Sequence, residues 1–202
     1  MRIGIDFDNT IIDYSDIFTK QACNLGWIKV NTKKTKQQVR DAVRELPDGE
    51  IKWRKLQGLV YGKFINDAMP FDGVMEFIKR CASENIPVFV VSHKTEYAET
   101  LEEKINLREV SLNWFKVKGF LDLGKPCLDE NKIFFENPRE NKLRRINELQ
   151  CTHFIDDLKD VLLEPEFPKN VTRILFSSNN EHCDDGSFKV CRHWSEIEEL
   201  VF

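Results

Sequence analysis

The sequence lacks three features that would assign its class directly: a long apolar run, a CxxC pair and a large net charge. Without about 20 consecutive apolar residues, it has no candidate membrane-spanning helix. The first residues run straight into a strand-like segment and leave no room for a secretory apolar region, so we expect no signal peptide. The formal net charge of -4 argues against general attachment to nucleic acid or to a membrane surface.

The cysteines are scattered rather than paired along the sequence. Six of them occur in a chain of 202 residues, which is long enough to form a stable core without disulfide bonds. We therefore expect reduced thiols and a cytoplasmic location. With 41% hydrophobic residues and neither repeats nor low-complexity segments, the chain is expected to form one substantial core, with room for a smaller inserted subdomain.

Short apolar runs alternate with helical stretches along the chain. Such runs are typical of parallel strands that are buried on both faces, and their alternation with helices predicts a doubly wound α/β fold. The predicted strands are residues 2–8, 87–93, 133–136, 153–157 and 172–178. The predicted helices are residues 73–83, 107–118, 142–149 and 195–202, and the last of these opens with a capping box at Ser195.

The interval of about 80 residues between the first two predicted strands is too long for an ordinary crossover. Val39 and Val43 fall on one helical face, and Trp53 and Leu56 fall on another, with a Pro-Asp-Gly turn between the two faces. We therefore predict a helical cap over residues 16–68, inserted into a core formed by residues 1–15 and 69–202.

Two acidic pairs lie at the ends of predicted strands. Asp6 and Asp8 come at the carboxyl end of the first strand, where open α/β sheets bind ligands, and Asp156 and Asp157 end a later strand. Crowded carboxylates repel one another unless a divalent cation lies between them, and Mg²⁺ favours such sites. The alternatives are solvated loop aspartates for the first pair and a helix N-cap for the second.

Three further side chains are candidates for contact with a phosphoryl group. Ser92 follows an apolar run, so its hydroxyl is predicted to lie at the same sheet edge, and His93 comes next to it. Lys142, at the start of a predicted helix, could neutralise the carboxylates and a transferring phosphoryl group.

The ordered set Asp6-Phe7-Asp8-Asn9-Thr10, Ser92, Lys142 and Asp156-Asp157 resembles the four motifs of the haloacid-dehalogenase-like (HAD) superfamily of phosphohydrolases. The resemblance implies a Rossmann-like core with a C1-type helical cap. The sequence departs from the family pattern at Ile155, where many relatives have Gly, and at Leu143, where many have Pro. Lys125 does precede a proline and is a rival to Lys142, but it lies upstream of the strand at 133–136, so we prefer Lys142.

The resemblance also implies a role for each residue. Asp6 would be the nucleophile that forms an aspartyl-phosphate, and Asp8 the acid/base that serves the leaving oxygen and then water. Thr10 would support the nucleophile loop, while Ser92 and Lys142 hold the phosphoryl group. Mg²⁺ would be bound by Asp6, the backbone carbonyl of Asp8 and Asp156, with either Asp157 or Asp160 as the second acidic contact.

Residues 29–63 carry ten Lys/Arg and four Asp/Glu, and this positive net charge would attract an anionic ester. Within this stretch Arg54 and Lys55, together with His93 in the core, are candidate substrate contacts, although a solvated helix face explains the charge equally well. A second cluster contains possible zinc ligands but matches no zinc motif, so we expect ordinary loop and strand residues there. Its members are His182, Cys183, Cys191 and His193.

The sequence thus predicts a Mg²⁺-dependent phosphomonoester hydrolase acting on a small phosphorylated metabolite, either a sugar phosphate or a nucleotide. A nucleic-acid end phosphatase is the enzymatic alternative, and would need an open basic groove with stacking aromatics. A non-catalytic binding protein on the same fold is the other alternative. The retention of both Asp6 and Asp8 argues against it, because a scaffold has no use for two crowded carboxylates. We expect no membrane partner and no nucleic-acid partner.

Overall fold

The computed structural model describes residues 1–29, 34–98, 104–121, 127–178 and 186–202. These residues divide into two compact units. The first unit comprises Met1–Ile12, Pro70–Lys94 and Gly119–Phe202, and the second comprises Asp13–Met69 and Thr95–Lys118. None of the described helices is both long enough and apolar enough to cross a membrane.

The described residues form a six-stranded sheet and a short two-stranded one. The strands are β1 (Ile3–Ile5), β2 (Ile12–Asp13), β3 (Met69–Pro70), β4 (Val88–His93), β5 (Ile133–Glu136), β6 (His153–Asp156), β7 (Thr172–Phe176) and β8 (Lys189–Cys191). The large sheet has the order β5-β4-β1-β6-β7-β8 with parallel pairing throughout, and β2 pairs with β3. The predicted α/β fold with a parallel sheet is confirmed.

The central strands are buried on both faces because helices cover the sheet. Every residue of β1 is buried, and in β4 burial extends from Val88 to Ser92. This explains why these strands read as continuous apolar runs rather than as alternating ones. All five predicted strands are present in the large sheet. Its sixth strand, β8, and the short strands β2 and β3 were not indicated by the sequence.

The helices of the first unit connect these strands. They are α4 (Val74–Ser83), α6 (Arg139–Glu148), α7 (Lys159–Leu162) and α8 (Trp194–Val201), with a 3₁₀ turn at Glu130–Lys132. Helix α6 begins three residues before Lys142, which therefore lies inside the helix rather than at its start. Leu143 and Ile146 of α6 are buried in the core cluster, and this packing fixes which side of the helix faces the sheet.

The predicted capping box at Ser195 is wrong. Helix α8 begins at Trp194, its N-cap residue is His193, and no side chain caps it. The Glu196 carboxylate instead accepts a hydrogen bond from the backbone N–H of Arg192 at 2.7 Å. Trp194 is buried and its indole donates to the Thr10 carbonyl at 3.3 Å, so its packing places the start of the helix two residues earlier than the capping pattern predicts.

The second unit is helical. Its elements are α1 (Ser15–Asn24), α2 (Lys36–Arg44), α3 (Gly49–Gly58) and α5 (Leu107–Val117), with a π-helical turn at Leu59–Lys63 and a 3₁₀ turn at Ile65–Asp67. Phe18 and Trp53 stack at 5.0 Å between ring centroids. Val39, Val43 and Leu56 are buried as their helical spacing predicts.

The sequence-based boundaries placed all of residues 69–202 in the core, but Thr95–Lys118 packs within the helical unit. Trp114 of α5 is buried and donates its indole hydrogen bond to the carbonyl of Ala68 at 3.0 Å. A contact between residues so far apart in sequence cannot be deduced from local periodicity.

Candidate active site

The candidate site lies in the first unit, where β1, β4 and β6 end. Ile5 pairs with Val90 on one side and with Ile155 on the other, so the three strands are in register at this edge. The Asp6 N–H donates to the Ile155 carbonyl at 2.8 Å, which holds the first residue after β1 against β6. Asp6 and Asp156 therefore leave neighbouring strands at the same level.

Lys142 joins these two aspartates. Its Nζ lies 2.6 Å from Asp6 Oδ1 and 2.6 Å from Asp156 Oδ2. The three residues are nearly inaccessible to solvent, at 5%, 0% and 1% exposure for Asp6, Asp156 and Lys142. Charges this deeply buried are tolerated only when they are paired and hydrogen-bonded, so the ammonium group is part of what permits the two carboxylates.

Burial and the neighbouring charges of opposite sign act in opposite directions on the pKa values of Asp6 and Lys142. Burial raises the pKa of the Asp6 carboxyl to about 7, against the opposing effect of the Lys142 charge, and the carboxylates of Asp156 and Asp8 add to the rise. Burial works to lower the pKa of the Lys142 ammonium group, but the two carboxylates outweigh it and hold that pKa above its usual range. Lys142 is therefore charged at neutral pH, whereas Asp6 is close to its titration point.

Asp8 has a separate cation. The Lys94 ammonium donates to both oxygens of the Asp8 carboxylate, at 2.8 Å each, and lies 5.1 Å from the centre of the Phe7 ring. Lys94 is only 4% exposed, and its backbone N–H donates to the Glu136 carbonyl at 2.9 Å, directly beyond the end of β4. The sequence analysis did not identify Lys94. The signal was present, because a residue two positions after Ser92 on an extended backbone carries its side chain on the same face.

The loop after the first aspartate turns tightly. Asn9 adopts a left-handed conformation with φ 60, which Asn tolerates better than most residues. The Phe7 carbonyl accepts from the N–H groups of Ile11 at 3.0 Å and Ile12 at 3.2 Å, and this folds the loop back on β1. Thr10 is fully buried within the loop.

Ser92 lies near the end of β4 at 1% exposure. Within the described part of the chain, its Oγ has no hydrogen-bond partner, and the same is true of Thr10 Oγ1. A buried hydroxyl without a partner has a substantial desolvation cost, so it is an informative feature at the edge of a site. His93 is exposed, with its Nε2 3.2 Å from Asn137 Oδ1.

Carboxylate oxygens of Asp6, Asp156 and Asp157 come within 4.8 Å of one another, and this is the one group of possible metal ligands among the described residues. Lys142 uses a single oxygen of Asp6, and the second oxygen of Asp156 accepts from the Leu158 N–H at 2.9 Å. A cluster of carboxylate oxygens with no nitrogen or sulfur donor fits a hard cation such as Mg²⁺. Asp160 is exposed on α7 and does not belong to this group.

The other predicted residues lie elsewhere. Arg54 and Lys55 are exposed on α3 of the second unit, where Arg54 Nε lies 3.4 Å from Glu50 Oε1. Cys191 is buried at the end of β8, and His193 immediately precedes α8. Lys125, His182 and Cys183 fall outside the described residues.

The sequence matches no protein-family profile and no curated protein. Solved structures do resemble the chain. One is a HAD family IA hydrolase from Entamoeba histolytica, with a TM-score of 0.59, 16% identity and coverage of 99% of this chain and 97% of that chain. A HAD hydrolase from Deinococcus radiodurans with bound phosphate and sodium has a TM-score of 0.56, 10% identity and coverage of 99% and 94%.

A third structure, a HAD hydrolase from Bacillus subtilis bound to magnesium, has a TM-score of 0.56, 13% identity and coverage of 99% and 97%. This chain has the HAD hydrolase fold. Each resemblance extends over nearly the whole of both chains.

Proposed function

We propose that this chain is a Mg²⁺-dependent phosphomonoester hydrolase that uses Asp6 as its nucleophile. The observation that carries the proposal is the meeting of Asp6, Lys142 and Asp156 at one sheet edge, with Asp157 within ligand distance. The buried Lys142 ammonium group lies between two carboxylates and beside a possible metal site. This arrangement is suited to a transferring phosphoryl group, because Lys142 and a bound Mg²⁺ would both offset its negative charge.

The reaction would take two steps. In the first, a carboxylate oxygen of Asp6 attacks phosphorus, the bond to the leaving oxygen breaks, and Asp8 gives that oxygen a proton. In the second, water attacks the phosphorus of the aspartyl-phosphate, Asp8 takes back a proton, and phosphate leaves with Asp6 restored. Over one cycle the protein neither gains nor loses a proton.

The remaining side chains would bind the phosphoryl group. The buried Ser92 hydroxyl would find its missing partner in a phosphoryl oxygen, and Lys142 would hold a second oxygen. Thr10 would support the loop that carries Asp8. Mg²⁺ bound by Asp6, the Asp8 carbonyl, Asp156 and Asp157 would supply a Lewis acid that neutralises charge on the phosphoryl oxygens. The phosphate and the magnesium in the two bacterial HAD structures accord with this assignment.

We propose a small phosphorylated metabolite as the substrate, either a sugar phosphate or a nucleotide. The core residues named above would contact only the phosphoryl group, which every phosphomonoester shares. Arg54 and Lys55 in the helical unit stay predictions for the contacts that choose among such esters.

The test is a phosphate-release screen with Mg²⁺ over sugar phosphates, nucleotides and 3'-phosphorylated oligonucleotides. Turnover that is lost in Asp6→Asn and kept in Asp129→Asn would support the proposal. Asp129 is a suitable control because it is an exposed aspartate that precedes β5, whereas the site lies where the strands end. A preference for the oligonucleotides would favour an end phosphatase instead. Phosphate binding without any turnover would indicate a binding protein and would contradict the proposed activity.

A further inference from the structure

Lys94 is a buried charge that the reaction described above does not use. It is 4% exposed, and its ammonium group donates to both oxygens of Asp8. An ammonium group this deeply buried would cost several kcal/mol if it were unpaired, so its pairing with Asp8 is a structural requirement of this edge.

The two partners differ in exposure. The Lys94 side chain is 3% exposed and that of Asp8 is 21% exposed. Asp8 is therefore the more accessible partner, and the buried ammonium group of Lys94 donates to both of its oxygens. A group with this placement acts on an incoming ester through Asp8 rather than by touching the ester itself.

Lys94 is itself held on two sides. Its backbone N–H bonds to the Glu136 carbonyl, which continues the pairing of β4 with β5 by one residue. Its ammonium group lies 5.1 Å from the centre of the Phe7 ring, and Phe7 is fully buried between the two aspartates of the loop. A lysine fixed at its backbone and at its tip can transmit that rigidity to a carboxylate.

The two buried lysines thus serve different carboxylates. Lys142 pairs with Asp6 and Asp156, whereas Lys94 pairs with Asp8. Resting on the proposed function, we propose that Lys94 is a positioning residue for Asp8. When one oxygen of Asp8 carries the proton, the other oxygen keeps its hydrogen bond from Lys94, and this contact directs the protonated oxygen at the leaving oxygen. A catalytic group misplaced by about 1 Å can lower the reaction rate about 100-fold, so loss of the fixed orientation should be measurable as a lower rate.

Leaving groups that differ in basicity test this role. Phenolate is a strong base and needs the proton from Asp8 as the bond to phosphorus breaks, whereas 2,4-dinitrophenolate leaves without one. The quantity to measure is kcat/KM, because it covers only the steps up to formation of the aspartyl-phosphate and so excludes the later activation of water.

In Lys94→Met we expect kcat/KM for phenyl phosphate to fall about 100-fold and kcat/KM for 2,4-dinitrophenyl phosphate to stay within about threefold, since general acid catalysis contributes roughly 10² to 10⁴. The matched control is Lys132→Met, which removes a more exposed lysine of the same unit that lies 3.9 Å from Asp129. Neither ester should respond to it.

A double variant separates the catalytic effect from an effect on folding. Asp8→Asn combined with Lys94→Met removes both charges of this pair, so neither is left without the other. If Lys94 acts through Asp8, the ratio of the two kcat/KM values in the double variant equals that in Asp8→Asn alone. An equal fall for both esters in Lys94→Met would show that Lys94 binds the phosphoryl group or only supports the fold, and would overturn the inference while leaving the proposed function intact. Failure of the wild-type protein to release phosphate from either aryl ester and from every compound of the metabolite screen would overturn both.

Discussion

Lys142→Met tests the buried charge cluster most directly. Methionine retains the length of the lysine stem but has no charge, so the substitution removes the ammonium group with little change in packing. The lost contacts are the two at 2.6 Å, to Asp6 and to Asp156. Both partners are almost fully buried, which places the pair among the buried ion pairs rather than among surface pairs that contribute little.

Breaking a buried pair by removing one partner costs about 3 to 5 kcal/mol. Asp6 limits that cost because it can take up a proton, which leaves Asp156 as the remaining buried charge. We therefore expect a loss of about 3 kcal/mol in the free energy of unfolding without metal at neutral pH, or about 6 to 12 °C in Tm for a chain of this size.

The loss of unfolding free energy in Lys142→Met, relative to the wild type, should increase with pH. Burial raises the pKa of Asp6 to about 7 in the wild-type protein, and loss of the Lys142 charge raises this pKa further. A group whose pKa is raised by folding loses its contribution to stability as pH rises through the folded pKa. The variant should therefore fall further behind the wild type as pH rises above about 7, and the two should approach each other in mild acid.

The measurement is urea unfolding in chelator, followed by circular dichroism, with hydrogen exchange of the β1 and β6 amides to assign the transition to the first unit. Lys132→Met, a lysine variant away from the site, should change the unfolding free energy by no more than about 0.5 kcal/mol. If Lys142→Met unfolds at the same urea concentration as Lys132→Met, then Lys142 does not compensate the buried carboxylates and the reasoning is refuted.

Three other outcomes follow from the same geometry. Asp6→Asn should abolish turnover with the fold intact, and activity above a few per cent would exclude Asp6 as the nucleophile. The unfolding free energy of this variant without metal should also fall less between about pH 6 and pH 8 than that of the wild type, because the amide does not ionise. Turnover should need Mg²⁺, cease in chelator and be blocked by Ca²⁺, whose larger and looser shell would misplace the nucleophile; full activity in chelator would contradict the metal site. Ser92→Ala should raise the unfolding free energy by about 1 kcal/mol by removing an unpaired buried hydroxyl, and should lower kcat/KM about 100-fold; a loss of stability with unchanged turnover would refute the role of this hydroxyl.

The sequence predicted those parts of the fold that local patterns determine. Apolar runs located five strands to within a few residues, and the helical faces of Val39 and Trp53 are buried as expected. Strand β8 was missed because its sequence, Lys-Val-Cys, is short and contains no apolar run. The placement of Thr95–Lys118 was missed because it depends on the contact of Trp114 with Ala68, which no local pattern encodes.

For the candidate site, the motif order identified the residues that converge, but it could not give their pairing. Lys142 was chosen over Lys125 from its position after β5, and the structure brings Lys142 to Asp6 and Asp156. Lys94 was overlooked because a single lysine after a strand is usually a solvated surface residue. Only the parallel register, which sets the end of β4 beside the loop after β1, shows that this lysine turns inward to Asp8.

The charges of the site explain why a divalent cation would be a requirement rather than an accessory. The carboxylates belong to Asp6, Asp8, Asp156 and Asp157, and the ammonium groups to Lys94 and Lys142. Among these groups, negative charges exceed positive charges by two, and a proton on Asp6, whose pKa burial raises to about 7, relieves part of the excess in the metal-free protein. That proton would also block attack on phosphorus, because it occupies the nucleophile. A divalent cation would relieve the same excess without a proton and leave the carboxylate ionised. Proton and cation therefore compete for Asp6, and only the form with the cation bound has both the charge balance and the nucleophile that the proposed reaction needs.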